Sequence, residues 1–239
     1  MKNQTLLSAA LILLGRGQRD AGYGRPGALC SPSKKELMPE IHRSGAAAAF
    51  ANGLLNLAML FVAIILVGPS ALVDREVFIS MARTNPWPLL LQDVIKFGSS
   101  IALLILVLDL GKRLKDTNPT AVRTGTAFGL LSITLLIANG SLSLYATSQA
   151  AGLEANAGVQ LNLVIGVLGM ASVVAGGLWY LLVNWVARKS GSLPSNLSIL
   201  GSVAGAIALV PPIAILFLLL SIVWSIWLGV VLLKRGQSV

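Results

Sequence analysis

Charged residues are scarce in this chain of 239 residues, of which 11% are charged and 55% hydrophobic. A soluble domain carries about 25% charged residues, so this composition excludes a soluble globule with a single core. The apolar residues form uninterrupted runs of about twenty, whereas the strands of an outer-membrane barrel alternate apolar and polar residues. The composition therefore predicts an all-α fold, a polytopic bundle of transmembrane helices.

Histidine and cysteine each occur once, as His42 and Cys30. A single cysteine cannot form an intramolecular disulfide. A single histidine leaves a bis-histidine haem, a histidine-bound zinc ion and a Ser-His dyad without their ligands or partners inside the membrane. The sequence contains no metal or cofactor motif, so we expect neither a cofactor nor enzymatic activity.

Six membrane spans follow from the apolar runs once the last run is divided at Pro211 and Pro212. Two consecutive prolines remove two backbone donors and interrupt a helix. The predicted spans are approximately 46–68, 89–111, 126–148, 161–183, 195–210 and 213–233. The proline pair is consistent with a turn or with a re-entrant element, and the sequence does not distinguish the two.

Lysine and arginine are distributed unevenly among the predicted loops. With the N-terminus inside, the outer loops receive only Arg75 and Arg83, close to Asp74 and Glu76. Eleven basic residues then lie on the inner side: Lys34, Lys35, Arg43, Lys112, Arg113, Lys115, Arg123, Arg188, Lys189, Lys234 and Arg235. This bias predicts both termini inside a bacterial cytoplasmic membrane. Because the net charge of +9 resides mainly at the ends of the spans, we expect no nucleic-acid partner.

The N-terminal segment, 1–45, is predicted to be a basic tail. Its apolar stretch 6–15 is too short to span a membrane, and no small-residue cleavage site of a signal peptide follows it. Residues 1–37 are interpreted either as a disordered tail or as the result of a start assigned upstream of Met38.

The second predicted span carries two charges, Asp93 and Lys96, within a polar stripe. At positions i and i+3 they can pair with each other, and Lys96 can extend toward the headgroups. Under the alternative, functional interpretation, Lys96 faces the bundle interior and binds an anion or a lipid headgroup, or takes part in proton transfer with Asp93. Asp109, at the far end of the same span, is explained by a local ion pair with Lys112 or Arg113.

Two asparagines, Asn56 in the first span and Asn139 in the third, are expected near the middle of the membrane. They are interpreted first as interhelical hydrogen-bonding groups that hold the bundle together. The alternative is a hydrophilic cavity lined by Asn56, Lys96 and Asn139, with Ser172 or Ser225. The ligand-binding hypothesis thus rests on Lys96, Asp93, Asn56 and Asn139.

Small residues recur at the spacing that allows helices to approach closely. Gly125 and Gly129 begin the third span, and Gly201 and Gly205 lie in the fifth. We predict that these four glycines pack against neighbouring helices of the bundle instead of forming a dedicated dimer face.

Aromatic residues near the ends of the spans suggest interfacial belts. Trp87 begins the second span, and Trp179, Tyr180 and Trp185 lie toward the inner end of the fourth. Trp224 is instead expected to pack inside the bundle.

Three short sequences resemble those of a known family: Ala51-Asn52-Gly53-Leu54-Leu55, Lys112-Arg113-Leu114-Lys115, and Ile226-Trp227-Leu228-Gly229 ahead of a terminal Lys-Arg. In this order they resemble the small bacterial six-helix membrane proteins called domain of unknown function 4386. The resemblance covers about residues 40–235. It implies six helices but no reaction, because that family has no established activity.

Two functional hypotheses follow. The first is a non-enzymatic structural or accessory component that contacts the lipid bilayer and a membrane-protein partner or a second copy of itself. The second is a small transporter or a lipid- or anion-binding protein that uses the polar stripe. An intramembrane enzyme is least favoured, because Asp93 and Asp109 are about 24 Å apart along one helix and form no carboxylate pair.

Overall fold

The fold is helical throughout the residues that the structure describes, which are 34–70, 75–150, 152, 155–210 and 213–236 of a computed structural model. No strand occurs among these residues. The helices are α1 (Lys34–Phe61), which continues into a π-helical segment (Val62–Val67), α2 (Arg75–Thr84), α3 (Trp87–Leu114), α4 (Pro119–Ser148), α5 (Ala155–Lys189), α6 (Ser195–Ala208) and α7 (Ala214–Gly236).

Five of these helices are long and apolar enough to cross a membrane, which indicates a multi-pass membrane protein. They are Ser44–Val67 within α1 and its π-helical segment, α3, α4, Ala157–Lys189 within α5, and Ile215–Lys234 within α7. The remaining apolar helix, α6, has 14 residues and is about 21 Å long at 1.5 Å per residue. The helical membrane fold is thus confirmed, while α6 is shorter than the roughly 30 Å of a hydrocarbon core.

Several helix bounds differ from those expected. The short helix α2 lies where the sequence was interpreted as a loop, and α1 begins at Lys34, inside the predicted tail. The apolar stretch at 6–15, Cys30 and the two prolines at 211–212 lie outside the described residues. Separate helices nevertheless flank the prolines, because α6 ends at Ala208 and α7 begins at Ala214.

Specific residues mark the end of the π-helical segment and the beginning of α4. Gly68, at φ 85°, closes the π-helical segment, and its N–H donates to the Ala63 carbonyl. The left-handed region is open to glycine because it lacks a Cβ. The Asn118 side chain accepts a 3.1 Å hydrogen bond from the Ala121 N–H and caps α4, whose first residue is Pro119. These local signals fix where the two segments end and begin.

Consecutive helices from α3 to α7 pack against one another, and the closest approach occurs between α5 and α6. A Cβ on Gly205 would lie 2.7 Å from the Gly177 carbonyl oxygen, and one on Gly177 would lie 2.9 Å from that of Gly205. Two helix backbones can come this close only at glycine, because its side chain is a single hydrogen atom. This contact fixes α6 against α5 although α6 is short.

An aromatic cluster lies beside this crossing. The rings of Trp179, Tyr180 and Trp224 have centroids 4.7 to 6.0 Å apart, and Phe217 packs edge-on against Tyr180. Trp179 and Tyr180 are buried, so their interpretation as an interfacial belt was wrong. The reason is that α5 continues to Lys189, which places both rings well inside the helix.

Candidate functional site

A cavity of about 440 Å³ lies among five helices and is called here the central cavity. Side chains of α1 with its π-helical segment, and of α3, α4, α5 and α7, line it. Its volume falls within the range of about 300–1,000 Å³ that is typical of small-molecule sites. Most of its wall is apolar, and its polar lining residues are Asn52, Asn56, Lys96, Ser99, Ser132, Asn139, Ser172 and Ser221.

Among the residues that the structure describes, Lys96 is the only lysine, arginine, aspartate or glutamate that lines this cavity. Its Nζ donates to Asp93 Oδ1 at 2.8 Å, which is the pairing that the i, i+3 spacing makes possible. Asp93 does not line the cavity, its side chain is 1% exposed, and its Oδ2 has no hydrogen-bond partner in the described part of the chain. Lys96 therefore lines the cavity, and its ammonium group is paired with a carboxylate of a residue that does not.

Further polar groups of the cavity have unused hydrogen-bonding capacity. Ser99, one helical turn from Lys96, is buried, and its hydroxyl has no partner among the described residues. The Asn56 side chain also lines the cavity, and no hydrogen bond from its amide is found in the part of the chain that the structure covers. Unpaired polar groups in an apolar environment are costly, so each favours a bound partner.

Asn139 has a structural contact as well as a place in the cavity wall. Its Nδ2 donates to the Ile165 carbonyl at 2.7 Å and so joins α4 to α5. The sequence-based expectations of an interhelical bond and of a cavity position therefore describe the same residue. Asn56, Lys96, Asn139 and Ser172, which lie in four different helices, share one cavity.

Other polar side chains at the cavity are already satisfied by partners. Ser132 Oγ donates to the Ser172 carbonyl at 2.8 Å, and Ser172 Oγ donates to the Ser132 carbonyl at 2.9 Å. Ser225, which does not line the cavity, accepts a 3.0 Å hydrogen bond from Asn52 Nδ2 between α7 and α1. These bonds join helices, and Lys96, Ser99 and Asn56 remain as the groups available to a ligand.

The four glycines singled out for packing all lie at contacts between helices. A Cβ on Gly125 would come 3.3 Å from Leu182, and one on Gly129 would come 2.9 Å from Val107 and 3.0 Å from Trp179. Gly205 faces Gly177, as described above. Gly201 lies against the Asn184 amide, which a Cβ would overlap.

Asp109 pairs locally, with Arg113 Nε donating to its Oδ2 at 2.6 Å. Its carboxylate also lies against Gly45 of α1, where a Cβ would overlap it. Asp109 therefore belongs to the junction between α1 and α3 and does not line the central cavity.

Sequence reasoning missed the importance of Asn184 and the availability of Ser99. Asn184 is fully buried, donates to the Tyr180 carbonyl at 2.8 Å and accepts from Trp224 Nε1 at 3.1 Å. The sequence feature that could have indicated this role is the position of Asn184 as a lone asparagine between Trp179 and Trp185. Ser99 falls on the helical face of Lys96, but only the tertiary arrangement reveals that its hydroxyl is unpaired.

Comparison with family models, curated proteins and solved structures finds no match to this chain. The resemblance to the domain of unknown function 4386 family accordingly stays a prediction. Functional inference for this chain therefore depends on the cavity itself.

Proposed function

We propose that this chain is a membrane protein that binds a small molecule with acceptor oxygens, such as a phosphate or a carboxylate, in the central cavity. The observation that carries the proposal is that Lys96, the one charged residue among the described residues of the lining, belongs to the wall of a largely apolar cavity of about 440 Å³. Charged groups within membrane helices are rare and commonly mark binding sites. Of the two hypotheses from the sequence, the arrangement favours ligand binding over a purely structural component.

The chemistry of the ligand follows from the donors that remain available. Lys96 uses one N–H on Asp93 and has two more to offer, Asn56 offers an amide, and the unpaired hydroxyl of Ser99 is buried one helical turn from Lys96. Hydrogen bonds from an ammonium to charged oxygens are about twice as strong as neutral ones. A ligand with anionic oxygens gains most from this set, and its apolar part fits the remaining wall.

The test is native mass spectrometry of the protein purified gently from its own membrane. We expect the wild type to retain a bound small molecule. Retention of this molecule by Lys96→Met should be lower by at least about tenfold, since an interaction of 1.4 kcal/mol corresponds to a factor of ten in affinity. Lys112→Met is the matched control, because Lys112 is on the same helix but is exposed and does not line the cavity.

Two outcomes contradict the proposal. One is a wild type without any bound small molecule, and the other is equal retention by Lys96→Met and wild type. A stoichiometric protein partner found in place of a small molecule favours the accessory-component hypothesis instead.

We further propose that α6 and α7 both cross the membrane, so that the chain spans a bacterial cytoplasmic membrane six times with both termini inside. The basic residues support this topology, because Arg188, Lys189, Lys234 and Arg235 then share the inner side. The 14 residues of α6 require local thinning of the bilayer or burial of the ends of α6 by α5 and α7. A C-terminal reporter fusion located outside the cell contradicts it.

A further inference from the structure

We infer that the ligand of the central cavity is an anionic membrane lipid that enters sideways from the bilayer, between the π-helical segment and the first turns of α7. This inference rests on the proposed function, since it names the class of ligand and its route into the same cavity. It is carried by the position of the cavity opening and by the side chains that surround it.

We place the opening between α1 and α7, because the exposed residues of the cavity wall lie on these two helices. The two helices meet at one level, where Asn52 donates to Ser225 and the ring of Phe50 lies against Gly229. Ile64 lies twelve residues after Asn52 and Ile215 ten residues before Ser225, which is about 15–18 Å along the two helices at 1.5 Å per residue. Both line the cavity and are 42% and 53% exposed, respectively. The cavity therefore reaches the side of the bundle between these two residues.

The residues at this opening are apolar and lie within membrane-spanning segments. Ile64 belongs to the span Ser44–Val67, and Ile215 begins the span Ile215–Lys234. Because both residues lie close to the ends of their spans, such an opening is at the level where acyl chains meet headgroups, and its apolar rim favours an amphiphile over a water-soluble anion. The acyl chain of a lipid can contact this apolar surface without a desolvation cost.

The polar end of the lipid would meet Lys96 and Ser99 inside. Lys96 is nine residues into α3, about 13 Å from its start, and Asn56 faces the same cavity from α1. The cavity thus presents donors in its interior and apolar side chains at its opening. This order fits an amphiphile that enters headgroup first.

The π-helical segment supports the same route. Its residues Ala63 and Ile64 line the cavity beside the opening, and Gly68 ends the segment in the left-handed region. A π-helix carries an extra residue per turn, is less regular than an α-helix, and occurs often at functional sites. The sequence Val62–Val67 gave no sign of this conformation, so the segment is an independent observation at the opening.

The experiment blocks the opening with a covalent cross-link. Ile64→Cys and Ile215→Cys are combined in a Cys30→Ser background and joined by a bismaleimide, and the purified protein receives palmitoyl-oleoyl-phosphatidylglycerol in mixed micelles. We expect cross-linking before lipid addition to lower the bound lipid at least tenfold in native mass spectra. Cross-linking after addition should retain the lipid through a detergent wash that removes it from the open protein. Each single-cysteine variant treated with the same reagent is the control.

Equal lipid uptake by the cross-linked and open proteins overturns the lateral route. Binding of glycerol 3-phosphate without binding of the phospholipid overturns the lipid assignment but leaves the proposed function standing. Failure of the open protein to bind either probe contradicts the proposed function as well, so the two failures are distinguishable.

Discussion

Two regions of this bundle differ in whether their polar side chains have hydrogen-bond partners. Where α5, α6 and α7 meet, glycines bring backbones together, aromatic rings fill the interior, and Asn184 uses both ends of its amide. Around the central cavity, the hydroxyl of Ser99 and the amide of Asn56 have no partner among the described residues. In the first region the central Asn184 is satisfied within the protein, although the buried Ser198 hydroxyl of α6 has no partner among the described residues; in the second region, the groups without partners belong to residues that line a cavity. Stability and binding should therefore depend on different residues.

The largest loss of stability is expected when a side chain is added in the region where α5, α6 and α7 meet. Gly205→Leu places a side chain where even a Cβ lies 2.7 Å from the Gly177 carbonyl, so we expect a loss of more than about 3 kcal/mol of unfolding free energy. The measurement is denaturation by SDS in a mild detergent. Gly166→Leu is the control, because nothing lies within 4 Å of a Cβ there. Equal stability of both variants would remove the basis for distinguishing the two regions.

Substitution of the Asp93–Lys96 pair should have the next largest effect on stability. It tests whether an unpaired Lys96 ammonium destabilises the protein. Asp93→Asn leaves Lys96 without its carboxylate, and we expect a loss of about 3 kcal/mol in the ligand-free protein. The double variant Asp93→Asn/Lys96→Met should recover much of that loss, since neither charge remains. SDS denaturation of both variants measures this. A double variant as unstable as the single one argues against the explanation.

Asn184→Ala should have the smallest effect of the three. It removes the acceptor of a buried Trp224 N–H, and the expected loss is about 1–2 kcal/mol of unfolding free energy. Ligand retention in native mass spectra should stay unchanged, because Asn184 does not line the cavity. Combination with Trp224→Phe completes a double-mutant cycle, in which additive losses would show that the hydrogen bond contributes nothing.

The sequence predicted much of the frame because lipid imposes strong local constraints. Length, hydropathy and prolines locate helices whatever their neighbours are, and they placed α1, α3, α4, α5, α6 and α7 close to their observed positions. The same rules missed α2, whose ten residues are neither long nor apolar enough to signal a span. The belt interpretation of Trp179 failed because the end of α5 was placed too early.

The candidate site was predictable by residue type but not by arrangement. A lysine and two asparagines inside apolar helices are conspicuous, and Asn56, Lys96 and Asn139 do share the central cavity. What the sequence could not supply was which polar groups were already paired. Ser132 and Ser172 satisfy each other across two helices, whereas Ser99, of the same chemical type, has no partner in the described chain.

The local character of the Asp93–Lys96 pair has a consequence for how the protein is made. Both residues belong to α3 and are three positions apart, so the pair can form as soon as that helix does. The bonds from Asn52 to Ser225 and from Asn139 to Ile165 join different helices and must wait for those helices to arrive. During biosynthesis, α3 can thus leave the translocon with the charges of Asp93 and Lys96 already paired, before α7 has been synthesised.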